Sequence, residues 1–77
     1  MKFHKTPLKD LIIIEPEKIE DERGFFARTW DTEVFSKVGL NPKIIQCSIS
    51  SNKKKGTLRG LHVQNSPYEE SKIIRCT

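Results

Sequence analysis

The stretch Asp21-Glu22-Arg23-Gly24-Phe25-Phe26-Ala27-Arg28-Thr29-Trp30 decides the fold class. Its first four residues read as a turn, with Gly24 free to take positive φ. Phe25–Trp30 follows as a strand. A period of two puts Phe26, Arg28 and Trp30 on one face and Phe25, Ala27 and Thr29 on the other. Asp31 is then an N-cap for a short helix over Thr32–Val38, with Val34, Phe35 and Val38 on its apolar side and Gly39 as its stop. Upstream, the apolar run Leu11–Ile14, closed by Pro16, reads as another strand.

Downstream the pattern stays at period two. Ile44–Ser50 alternates Ile45, Cys47 and Ile49 against Gln46, Ser48 and Ser50, which predicts a strand with one apolar face and one face lining something polar. Cys47 shares the apolar face and reads as a small buried hydrophobe. Ser51–Gly56 is a basic turn, Thr57–Gln64 a further strand, Asn65–Ser71 a polar loop containing Pro67, and Lys72–Cys76 the start of a last strand. The fold class predicted is mostly β, with about five strands and one short helix. There is no internal repeat and no low-complexity tract.

Composition bounds the function classes. The chain has 77 residues, a net charge of +4 and a sequence pI near 9.3. A chain of this length leaves much of its surface in water, so any core is small. The longest unbroken apolar run, Leu11–Ile14, is far short of a membrane span, and the amino terminus lacks the apolar stretch of a signal peptide. Cys47 and Cys76 make neither a disulfide scaffold nor a four-ligand metal site. These features point to a soluble, reducing, cytoplasmic setting. Between Glu33 and Glu69 there is no carboxylate, while Lys37, Lys43, Lys53, Lys54, Lys55 and Arg59 supply six positive charges. Such a field suits an anion. A nucleic-acid reading lacks the exposed aromatics it needs, since residues 43–60 contain none; the plainer reading of Lys53–Lys55 is a solvated loop.

The sharpest chemical feature is His62, in Arg59-Gly60-Leu61-His62-Val63-Gln64. An imidazole suits proton abstraction near neutral pH, and a core histidine held by a backbone carbonyl fits the same spacing. The residues alone leave both open. A metal role is disfavoured, because the next side chain on the same face is Gln64. Arg59 and His62 are three apart and point to opposite faces of an ideal strand unless Gly60 hosts a bulge. Arg23, in a turn, and Lys72, at a strand start, are cations that a fold could hold in place, or simply surface residues. His4 reads as exposed. No glycine-rich phosphate loop of the common nucleotide folds is present.

Taken together, Asp21-Glu22-Arg23-Gly24-Phe25-Phe26, Gly39-Leu40, Gln46, Gly56-Thr57-Leu58-Arg59-Gly60-Leu61-His62 and Lys72 resemble the dTDP-4-dehydrorhamnose 3,5-epimerase family, in order and across nearly the whole chain. The resemblance implies a partial cupin-type jelly roll and a homodimer acting without metal or other cofactor. It implies a nucleotide-linked 4-keto-6-deoxyhexose substrate on the route to dTDP-L-rhamnose, epimerised by proton abstraction beside the ketone. It further implies that His62 is the general base and that Lys72 stands near the enolate. By the same resemblance Arg23 and Arg59 hold the ligand and its phosphates, Arg23 reaching the partner subunit's site. Phe26, Arg28, Gln46 and Ser48 line the pocket.

Three positions depart from the family pattern. Arg28 stands where a glutamate is usual, Ser48 where an asparagine is usual, and Val63 where a tyrosine is usual; they imply a related branch acting on another 4-keto sugar or at one carbon. A jelly roll needs about eight strands. Residues 1–77 are therefore expected to be the N-terminal segment of one such domain, inactive alone. The family's tyrosine acid and its aspartate partner of the histidine are expected further along, and Tyr68 does not match the former. Two alternatives remain: a non-catalytic sugar-nucleotide-binding or assembly fragment, and a small basic nucleic-acid binder.

Overall fold

In the computed structural model, which describes residues 1–77, the chain forms four strands and one helix, all within Met1–Pro42. The fold is mostly β, with two small antiparallel sheets of two strands each. Strands β1 (Lys2–Lys5) and β2 (Ile12–Glu15) pair with Phe3 opposite Ile14 and His4 opposite Ile13. The register puts Phe3, Ile12 and Ile14 on one face, half-buried, and Lys2, His4, Ile13 and Glu15 on the other, exposed. On that outer face His4 Nε2 lies 2.8 Å from Glu15 Oε2. Thr6 closes the connection, its hydroxyl accepting from the Leu8 amide at 3.2 Å and lying 3.0 Å from the Leu11 carbonyl.

Strands β3 (Lys18–Asp21) and β4 (Gly24–Ala27) form the second hairpin across a two-residue turn, Glu22-Arg23. The Asp21 carboxylate accepts the Arg23 backbone N–H at 2.8 Å, the side-chain mimic of a turn hydrogen bond that makes Asp favourable here. The strand expected over Phe25–Trp30 is thus shorter, and the face shared by Phe26, Arg28 and Trp30 ends at Ala27. Trp30 leaves the strand path because its ring packs on Phe35, with centroids 4.4 Å apart.

Helix α1 (Thr32–Lys37) starts where the cap was expected: the Asp31 carboxylate accepts from the amides of Glu33 and Val34 at 3.0 and 3.1 Å. It ends in a Schellman arrangement, Leu40 N–H donating to the Phe35 carbonyl at 2.9 Å and Gly39 N–H to that of Ser36 at 3.1 Å. Gly39 has the positive φ, 80°, that this closure needs. The helix turns Phe35 inward, fully buried, and Phe3 meets that ring edge-on at 5.9 Å. Phe35, Trp30, Phe3 and the inner face of the first sheet are the core. Val38, expected on the apolar side, is the C-cap and is 42% exposed.

Residues 43–77 contain no strand. The three strands expected over Ile44–Ser50, Thr57–Gln64 and Lys72–Cys76 are not formed. A strand needs a neighbour for its ladder, and none of these segments pairs with another. Without a sheet, the apolar face of the alternation has nothing to rest on: Ile45 and Ile49 are 85% and 97% exposed, and Cys47 is exposed rather than buried. What this unit does form are turns. Thr57 fastens the basic turn through its hydroxyl, which donates to the Lys54 carbonyl at 2.7 Å, and Tyr68 N–H donates to the Asn65 carbonyl at 2.8 Å.

Candidate functional site

The turn of the second hairpin presents one cluster of the expected residues. Arg23, Phe25, Phe26 and Asp21 line an open depression of about 240 Å³. Both phenylalanines are well exposed, because neither face of this two-stranded ribbon is covered. Lys18 reaches across to the Phe25 ring, its Nζ 4.5 Å from the centroid. The Arg23 guanidinium lies flat along the Asp21 carboxylate, with Nη2 2.6 Å from Oδ2 and Nε 3.3–3.4 Å from both oxygens. That side-chain contact, then the Arg23 backbone amide, hold the Asp21 carboxyl below its ordinary range, and Asp21 in turn raises the Arg23 guanidinium. Arg28 lies beyond the strand end, its Nη1 3.5 Å from the capping carboxylate of Asp31, and is no part of the depression.

The second cluster lies in the unit of residues 43–77. His62, Val63, Gln64, Glu69, Glu70 and Lys72 line an open depression of about 390 Å³. The two residues expected to carry chemistry, His62 and Lys72, are therefore brought together. Val63 and Gln64 line the depression with His62, so the run of three follows no period of two, consistent with the missing strand. Glu70 ties the cluster: its Oε1 lies 2.9 Å from Lys72 Nζ, and the Gln64 amide, oriented so that its nitrogen donates, reaches both its oxygens at 2.9 and 3.0 Å. An ammonium has three donors, so Lys72 keeps two for a ligand. At Gly60 a Cβ would stand 3.1 Å from both the backbone nitrogen and Nδ1 of His62, so the missing side chain is what lets the imidazole fold over this position.

Arg59 does not join His62. Its guanidinium folds back on the basic turn, Nε donating to Asn52 Oδ1 and Nη2 to the Ser51 carbonyl at 3.0 Å. The two side chains are kept apart by this turn contact and not by strand spacing, since no strand forms over Thr57–Gln64. Gln46 and Ser48 are exposed and line neither depression. Sequence reasoning missed Asp21 and Glu70 as the anchors of Arg23 and Lys72. In each case the signal was present, a carboxylate two residues before the cation.

The sequence pattern of the dTDP-4-dehydrorhamnose 3,5-epimerase family matches residues 5–77. The chain belongs to this family. Curated relatives agree. A dTDP-4-dehydrorhamnose 3,5-epimerase of Shigella flexneri is 42% identical over 77 residues, covering 99% of this chain and 42% of that protein. Its namesake from Methanothermobacter thermautotrophicus is 40% identical over 74 residues, covering 96% of this chain and 39% of that protein. The one from Escherichia coli K12 is 34% identical over 77 residues, covering 100% and 42%. The chain thus spans about two fifths of the length of the family relatives it matches. No solved structure matches it significantly. No helix is long and apolar enough to cross a membrane.

Proposed function

We propose that this chain carries the base-bearing segment of an epimerase acting on a nucleotide-linked 4-keto-6-deoxyhexose. The observation that carries the reading is the meeting of His62 and Lys72 in one depression, within a chain whose family is established. A C–H beside a ketone yields its proton to an imidazole only when fixed donors or cations stabilise the developing enolate. His62 takes the proton, and the ammonium of Lys72, steadied by Glu70, faces the enolate oxygen. Arg23 and Arg59 hold the phosphates through the forked donors of their guanidinium groups, Arg23 serving the partner subunit of a homodimer. Phe26 packs on the ligand, and Arg28, Gln46 and Ser48 complete its lining. The pairing of Arg28 with Asp31 supports this least, since it already engages that guanidinium. The setting is cytoplasmic.

The test is deuterium uptake from heavy water into a dTDP-4-keto-6-deoxyglucose substrate, compared between the chain and His62→Ala. Uptake lost in the variant supports His62 as the base; equal uptake in both rejects it. The second reading, a sugar-nucleotide-binding segment without catalysis, draws on the open depression around His62 and the missing strands of residues 43–77. It predicts ligand binding with no uptake in either protein.

A further inference from the structure

The reading of Arg23 as a phosphate ligand leaves open what its guanidinium does before a ligand arrives. One edge of it is already engaged. Nη2 and Nε face the two oxygens of Asp21 at 2.6 and 3.3–3.4 Å, the flat pairing that a phosphate group would make. The pair lines the depression that Phe25 and Phe26 share, and Lys18 stands over Phe25 as a second cation. Arg59 is also engaged internally, but by the neutral oxygens of Asn52 and Ser51. Of these two arginines, Arg23 is the one at which an incoming phosphate exchanges with another anion.

We propose that Asp21 is a built-in stand-in for phosphate, an internal anion that occupies the Nε–Nη2 edge of Arg23 and that a nucleoside diphosphate displaces to take that edge. This rests on the assignment of Arg23 to the phosphates. Asp21 has two separable jobs. Its Oδ1 accepts the Arg23 backbone N–H and shapes the turn, whereas its charge holds the guanidinium. Asp21→Asn keeps an acceptor for the turn and removes the charge, so the turn persists while the fork is released. Both groups are exposed, and exposed ion pairs are weak. The gain in ligand affinity is accordingly about two- to fivefold.

The experiment titrates the 77-residue chain with dTDP, and separately with inorganic pyrophosphate, following the backbone amides of Asp21–Gly24 by NMR in every protein and the Nε–H wherever Arg23 is present. Four proteins are compared: wild type, Asp21→Asn, Arg23→Ala and the double variant. Removing a negative charge strengthens anion binding in general, so the decisive quantity is the gain from Asp21→Asn with Arg23 present against the gain with Arg23 absent. A gain confined to the Arg23 background supports displacement. An equal gain in both backgrounds, or a loss of affinity with Asp21→Asn, overturns it, the loss meaning that the carboxylate orients the guanidinium for the ligand. If Arg23→Ala weakens binding but Asp21→Asn does not strengthen it, the stand-in idea fails alone. If Arg23→Ala binds as tightly as wild type, the assignment of Arg23 to phosphate fails as well. Asp21→Ser, which also keeps a short acceptor, repeats the comparison should the asparagine disturb the hairpin.

Discussion

Replacing Phe35 by alanine is expected to unfold the first unit altogether. Phe35 is the one fully buried side chain, held by the Trp30 ring at 4.4 Å and the Phe3 ring edge at 5.9 Å. Cutting a buried phenylalanine to alanine costs about 3–5 kcal/mol, part of it the aromatic contacts, each worth about 0.5–1.5 kcal/mol. At roughly 0.05–0.15 kcal/mol per residue, a unit the size of Met1–Pro42 has only about 2–6 kcal/mol of stability. The loss therefore matches the whole reserve. Trp30, the only tryptophan, reports the outcome directly because it lies against the deleted ring. Phe35→Ala is expected to shift the Trp30 emission to the wavelength of a solvated indole and to remove any cooperative urea transition. Phe35→Leu, which keeps most of the apolar volume, should hold the fold with a lower midpoint. An alanine variant with wild-type emission and an unchanged midpoint refutes the view that this ring cluster holds the unit together.

Two further outcomes are expected. Asp31→Ala removes the acceptor of the Glu33 and Val34 amides and should cost about 1 kcal/mol, read as a lower urea midpoint and faster amide exchange in Thr32–Lys37, while Asp31→Asn should cost less. The Asp21 carboxyl is held below its ordinary value near 3.8, so its contribution to the hairpin is full above that value and is lost as pH falls through the lowered one. A carboxyl 13C titration of Asp21 should report this midpoint, Asp21→Asn should lack the transition, and a midpoint at or above 3.8 rejects the contact with Arg23.

What was legible in the sequence was what short-range chemistry decides. The turn at Asp21–Gly24 and the helix between Asp31 and Gly39 are each specified by a cap or turn residue acting within three positions, and both formed. β1 and β3 were not legible. Lys2-Phe3-His4-Lys5 and Lys18-Ile19-Glu20-Asp21 are charged segments with one strongly apolar residue apiece, and they become strands because β2 and β4 supply the partner ladders. The reverse error occurred downstream. Ile44–Ser50 has the cleanest alternation in the chain, yet alternation only says which face a strand would bury and supplies neither the neighbour nor the surface to bury it on.

The same physics explains why the candidate site is only partly assembled. Gln64, Glu70 and Lys72 come together through charge and hydrogen bonding at short sequence separation, which needs no sheet, and His62 lines the same depression. Gln46 and Ser48 share a face only if the backbone around them is extended and paired, and here they line nothing. The exposed Ile45, Ile49 and Leu61 mark the same deficit from the apolar side. At about 25 cal/mol per Å² of apolar surface removed from water, covering side chains of that size stabilises by roughly 1.5–3 kcal/mol each. An element that pairs with Ile44–Ser50 thus gains the energy to order it and, through the period of two, leaves Gln46 and Ser48 together on the opposite face.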